Sequence, residues 1–300
     1  MKLTTYYWER IKGHRLAIPG LAFIIFLIFL AAIGPFFTVS PTVVNFDEKN
    51  LPPIGFSVEL SRYSPDAGGL ISTHIPGIWK HPLGTDGMGR DLLSQLISGA
   101  RVSLLVGLFA TGLAIIIGAM IGVTSAYFGG IIDNILMRFT DIMMTFPFLL
   151  LLILIVYMFG SNLTLIILSI GLTGWTGTAR LVRSETLSLR TREFIIASKA
   201  LGASDFRIVF HHLLPNTISS IIVLATLTIP GAILAEAALS FIGLGDPQVA
   251  SWGNILNAGQ NDIQTAWWIA VEPGIMLFLT IISFNFLGEG LRDAFDPKSE

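Results

Sequence analysis

The sequence predicts an all-α membrane protein with six transmembrane helices. Hydrophobic residues make up 53% of the 300-residue chain and charged residues 13%. A soluble domain carries about 25% charge, and the mean hydropathy here is +0.73. Several uncharged stretches reach the roughly 20 residues that a helix needs to cross a bilayer. Lys and Arg also fall unevenly between the two sides that six crossings define. A disulfide scaffold is excluded by zero cysteines. The near-neutral net charge of -2 gives no general attraction to nucleic acid.

The spans follow from the uncharged runs. Residues 16–46 and 102–132 carry no charge and each supplies one span, at 17–38 and 103–127. The N-terminal run is too long for a signal-peptide core, and no A-x-A site closes it, so it reads as a retained first span. The clean run Ile142–Ala179 would be about 57 Å long as one helix, about twice the hydrocarbon thickness. Gly160-Ser161-Asn162 is a turn signal inside it. It therefore divides into spans at 135–158 and 163–183. The last two spans are 216–240, ending just beyond Glu236, and 272–291. Ala110, Ala114, Gly118 and Gly122 form a small-residue stripe that lets another helix approach span two closely.

Orientation follows from Lys and Arg. Thirteen of the 18 basic residues fall on one side: Lys2, Arg10, Lys12, Arg15, Arg138, Arg180, Arg183, Arg190, Arg192, Lys199, Arg207, Arg292 and Lys298. The other five are Lys49, Arg62, Lys80, Arg90 and Arg101. The positive-inside bias puts both termini in the cytoplasm. Three regions result: a cytoplasmic tail with the first span (1–40), an extracytoplasmic loop (41–100) that includes Asp66, and a core of five spans (101–300). Trp252, Trp267 and Trp268 are expected at the outer interface.

No catalytic constellation stands out. His211 and His212 are adjacent and point in different directions on a helix, and His74 and His81 are a weak pair. Neither H-E-x-x-H nor a P-loop occurs, and no lysine follows a glycine. Glu236 is the one acid expected deep in an apolar helix, where a charge costs about 2.5–3.5 kcal/mol. It is either a path or gate residue or a packing hydrogen bond. Asp141 and Asn285 sit nearer helix ends and favour structural roles.

The internal loop 184–214 is basic and carries its own helix signals. Thr191 is placed to cap a short helix, with Glu193 in its first turn. Phe194 to Leu201 continue it and Gly202 ends it. Ser204 caps a second helix, 205–214, stopped by Pro215. Phe194, Ile195 and Ile196 on a helix facing water call for a docking partner, and small Ala197, Ser198 and Ala200 suit a groove. The competing expectation is that the helix lies back on its own bundle.

At this loop the sequence resembles the permease subunits of ATP-binding-cassette importers, whose hallmark is E-A-A-x-x-x-G-x(9)-I-x-L-P. The matching stretch runs Ile196-Ala197-Ser198-Lys199-Ala200-Leu201-Gly202, then His212-Leu213-Leu214-Pro215-Asn216. Ile196 replaces the acid, Ser198 the second alanine and His212 the isoleucine, with Glu193 supplying an acid three residues earlier. His81-Pro82-Leu83-Gly84-Thr85-Asp86 with Gly89-Arg90-Asp91 is similar to the C-type subunit of dipeptide and oligopeptide permeases. So are Gly129-Gly130-x-x-Asp133, Met137-Arg138-x-x-Asp141 and Trp175-x-x-x-Ala179-Arg180-x-x-Arg183. Glu236-x-x-Leu239-Ser240-Phe241, Ser251-Trp252-Gly253 and Asn285-x-x-Gly288, closing at Asp296-Pro297, continue the series. Residues 40–78 lie outside the likeness.

The resemblance implies a type I importer permease bundle with a cytoplasmic coupling helix, in a bacterial or archaeal cytoplasmic membrane. It implies a second permease, two cytoplasmic ATPase subunits that bind ATP and Mg, and an extracytoplasmic binding protein, with no cofactor in this chain and no nucleic acid. The ATPase-coupling residues are then Glu193, Ala197, Ser198, Lys199, Gly202 and Arg207. Glu236, Ser240 and Asn285 line the path or gate, and Asp86, Arg90 and Asp91 stand at the outer mouth. Cargo is di- or oligopeptides, with oligosaccharides or nickel complexes as alternatives. An ion-coupled carrier using Glu236 predicts inverted repeats, which the sequence does not display, and an intramembrane enzyme lacks its constellation.

Overall fold

A computed structural model describes residues 15–64 and 69–295. The basic residues Lys2, Arg10, Lys12 and Lys298, together with Asp66, Asp296 and Pro297, lie outside them. The helices are α1 (Ala17–Ile33), α2 (Leu92–Phe128), α3 (Gly130–Thr145), α4 (Phe148–Phe159), α5 (Leu163–Thr173), α6 (Thr176–Leu189), α7 (Glu193–Ala200), α8 (Asp205–Phe241), α9 (Trp252–Gly259) and α10 (Trp268–Phe295). Strands β1 (Ser57–Ser64) and β2 (Gly69–Pro76) pair antiparallel, Ser57 opposite Pro76. Among the described residues five helices, with α5 and α6 counted together, are long and apolar enough to cross a membrane. The bent pair α3–α4 makes six.

That bend corrects the expected straight span at 135–158. The pair turns by 83° at Phe146-Pro147. Proline lacks the N–H that continues a helix and pushes its predecessor to extended backbone; Phe146 accordingly has φ -79°, ψ 129°. A second correction concerns Pro215, which does not stop the helix begun at Asp205. Ile208–Leu213 form a π-helical turn and α8 runs on to Phe241. The wider turn accommodates a ring that would clash with the carbonyl four residues back in a regular helix. Span two also starts earlier than expected, at Leu92.

The described chain divides into two compact units. The first draws on the described parts of Met1–Ala22, Val106–Ala235 and Ile281–Glu300; the second is Phe23–Leu105 with Glu236–Thr280. In the first unit the small-residue stripe acts as expected. A Cβ on Gly118 would lie 2.6 Å from the Trp175 carbonyl oxygen, and one on Gly122 2.5 Å from that of Ala179. Glycine thus sets how closely α2 meets α6. Gly129 and Gly130, both at positive φ, reverse the chain between α2 and α3. The motif residues then meet across the turn. Arg183 grips Asp133 through Nε and Nη2, both at 2.6 Å, and the Ser125 hydroxyl donates to the same carboxylate. Arg180 reaches Asp141 at 2.5 Å, and Trp175 stacks on Phe139 at 5.8 Å.

In the second unit Trp252 and Trp268 are fully buried, correcting their expected place at the interface. Each indole N–H donates to a carbonyl, Trp252 to Leu96 (3.0 Å) and Trp268 to Thr85 (3.1 Å). A buried indole needs such a partner. Trp267 remains partly exposed and meets Phe56 edge-on at 5.3 Å.

Candidate functional sites

The segment expected to couple lies in the first unit. Helix α7 has one buried residue, Ile195, which joins Val123, Val182, Ile208, Val209 and Leu213 in a hydrophobic cluster. The helix therefore leans on its own bundle through buried Ile195, with the Phe194 ring edge-on to His212 at 6.5 Å. Phe194, Ile196 and Leu201 stay exposed, Leu201 at 88%. Glu193 occupies the first turn as expected. Thr191 does not cap the helix: its hydroxyl donates back to the Ser188 carbonyl (2.9 Å), and Arg192 stands at the N-cap without a side-chain bond. The C-terminal end is a Schellman turn. The Gly202 amide donates to Lys199 O (3.0 Å) and the Ala203 amide to Ser198 O (3.1 Å), with Gly202 at φ +79°. Ser204 then caps α8, accepting from the Arg207 amide, and Tyr127 donates to Asp205 at 2.5 Å. Ala197 and Lys199 face solvent, while Ser198, Gly202, Arg207, His211 and His212 line a 450 Å³ cleft beside the turn.

The residues expected at the outer mouth lie in the second unit, where side-chain bonds gather around Asp86 and around Asp91. Asp86 is buried. It accepts from the Met88 and Arg90 amides (2.9 Å each), from Arg90 Nε (2.7 Å) and from Gln95 Nε2 (3.0 Å). Asp91 caps α2, accepting from the Ser94 amide (2.8 Å) and hydroxyl (2.6 Å). Its other oxygen is 2.8 Å from His81 Nδ1, and His81 Nε2 is 3.1 Å from Glu48. Lys80 pairs with Glu48 at 2.7 Å and holds that carboxyl below the usual range. From the sequence His81 was read only as a weak pair with His74 and as part of the family motif, and Glu48 and Gln95 were given no role. Their partners are up to 33 residues away, with no periodicity to flag them.

Glu236 lies near the C-terminal end of α8, 1% exposed. Ser240 donates to its Oε1 at 2.6 Å. Ser251 stands beside the same carboxyl but accepts the Asn254 amide as the cap of α9. Oε2 has no hydrogen-bond partner among the described residues. Glu272 on α10 likewise has an unpartnered oxygen and feels the charge of Asp91. Glu236 and Ser240 are thus bonded to each other in the second unit, and Asn285 is half-buried on α10 in the first.

Residues 91–300 match the family described as binding-protein-dependent transport system inner membrane component, and residues 3–53 the N-terminal TM domain of oligopeptide transport permease C. The dipeptide transport system permease protein DppC of Bacillus subtilis (strain 168) is 41% identical over 97% of this chain and 84% of its own length. The oligopeptide transport system permease protein OppC of Haemophilus influenzae is 43% identical over 73% of this chain and 70% of its own. Among solved structures, a chain of the inward-facing MetNI methionine ABC transporter superposes with a TM-score of 0.55 at 21% identity. That likeness covers 67% of this chain and 97% of the other and shows the fold.

Proposed function

The chain belongs to the binding-protein-dependent transport system inner membrane component family, and from that membership we propose that it is one transmembrane subunit of an ATP-driven importer of di- and oligopeptides. The near-full-length likeness to a dipeptide permease carries the peptide assignment. A second permease completes the path, two ATPase subunits bind and hydrolyse ATP with Mg, and an extracytoplasmic binding protein delivers cargo. The ATPases dock on α7 through its exposed Phe194, Ile196 and Leu201. Glu193, Ala197, Ser198, Lys199, Gly202 and Arg207 shape that contact. ATP-driven closure moves α7 and alternates the opening of the bundle. Glu236 with Ser240 forms a gate, and Asn285 lines the path.

Asp86, Arg90 and Asp91 hold the outer mouth where the binding protein docks. Stimulation of ATP hydrolysis by the binding protein tests both levels of this reading. The assembled wild-type complex is expected to respond, and Arg90→Ala to respond more weakly. A wild-type complex indifferent to every binding protein encoded beside it contradicts the importer reading. Unaltered stimulation in Arg90→Ala at all concentrations leaves Arg90 as no more than the partner of Asp86.

In this reading residues 41–100 are extracytoplasmic, loop 184–214 is cytoplasmic, and both termini are inside. A cysteine at Ser61 is expected to react with an impermeant thiol reagent in intact cells, and one at Ser204 only after lysis. The opposite pattern inverts the topology.

A further inference from the structure

In the first unit a 410 Å³ cavity opens between α6, α8 and α10, within the size range of small-ligand sites, about 300–1,000 Å³. Its apolar wall includes Leu181, Val223 and Leu227. Below it α10 backs closely onto α8, since a Cβ on Gly288 would lie 2.5 Å from the Leu227 side chain. Two charged groups of opposite sign line the same cavity, Glu185 and Arg292. Glu185 is half-buried and Ser220 stands beside its carboxyl. Neither it nor Arg292 forms an ion pair with any described residue. A half-buried carboxylate with one hydroxyl beside it and no cation is under-compensated, and a cation brought to it offsets the desolvation. Arg292 stands in the last turn of α10, where the helix dipole stabilises it without an acid and leaves its fork free for a carboxylate. The Coulomb gain of drawing the two together has not been taken, although they share a cavity.

We propose that this cavity binds the zwitterionic backbone of a short peptide in transit, its terminal ammonium at Glu185 and its terminal carboxylate at Arg292, with its side chains against the apolar wall. The proposal rests on the peptide-importer reading and adds a contact between this chain and its cargo.

The absence of cysteine supplies the test. A Val223→Cys variant places one thiol of this chain in the cavity wall, and its rate of modification is followed in the assembled complex. Dialanine is expected to slow labelling several-fold. N-acetylated or C-amidated dialanine is expected to slow it much less. Glu185→Gln and Arg292→Gln, introduced separately, should each abolish protection in complexes that still co-purify with the ATPases and hydrolyse ATP. If either variant fails to assemble, the other still decides, as do the blocked peptides on wild-type charges. Equal protection by free and blocked peptides overturns the proposal. So does labelling indifferent to peptide but slowed by phosphatidylglycerol relative to phosphatidylcholine, which assigns the cavity to a lipid headgroup. Either result leaves the importer reading standing if ATP-driven dipeptide uptake by the wild type is intact. Absent wild-type uptake removes that reading instead.

Discussion

Gly202→Val is expected to abolish peptide uptake while leaving membrane insertion and pairing with the second permease intact. Gly202 sits at φ +79° with open space around its Cα, so the effect is one of backbone strain and not of collision. A non-glycine residue in the left-handed region costs about 1–3 kcal/mol, and a β-branched residue is a genuine outlier there. The chain relieves this by abandoning the Schellman turn, which releases the amides of Gly202 and Ala203 and re-aims the end of α7. The segment is anchored to its bundle by Ile195 and makes no part of any span, so the damage stays local. ATPase subunits should fail to co-purify, or should remain bound and hydrolyse ATP without transport. Wild-type docking together with wild-type uptake means that the loop does not couple.

Glu236→Gln is expected to lower transport about tenfold at unchanged yield of assembled complex. Glu236 is buried with one oxygen bonded by Ser240 and the other unmatched. An unmatched buried acceptor costs about 1–3 kcal/mol, and a group left so in one conformation gains when a second conformation supplies the donor. Glutamine keeps an acceptor for Ser240 but weakens that second bond, and about 1.4 kcal/mol between two conformations shifts their ratio tenfold. Yield of complex and transport per complex are measured together. A fall in yield with unchanged transport per complex makes Glu236 a packing bond and removes it from the gate.

The extent to which all this was legible in the sequence divides by the range of the interactions. The spans were legible because hydropathy accumulates along contiguous residues. The Schellman turn at Gly202 and the cap at Ser204 were legible because their partners lie within five residues. Pro147 went unnoticed because it lies inside an uncharged run whose hydropathy does not register a bend. Pro215 misled because its usual effect on a helix is cancelled by the π-helical turn before it, which no residue announces. The β-hairpin lies in residues 40–78, which were expected to fall outside the likeness; the alignment to the dipeptide permease over 97% of the chain and the match of residues 3–53 correct that expectation. The residues of the outer network were named from the sequence in part, but the bonds that join them escaped for a different reason. His81, Glu48 and Asp91 meet through tertiary folding alone, and the burial of Trp252 and Trp268 depends on carbonyls more than 150 residues distant.

The central claim is that ATP hydrolysed by partner subunits drives this chain's transport. Uptake of a labelled dipeptide into vesicles carrying the assembled complex and its binding protein tests it most directly, with the membrane potential and proton gradient clamped. The account predicts that accumulation stops when ATP is depleted and resumes when ATP is restored. Accumulation that persists without ATP and follows the potential or the proton gradient would contradict it, and would return Glu236 to the role of a coupling acid in an ion-driven carrier.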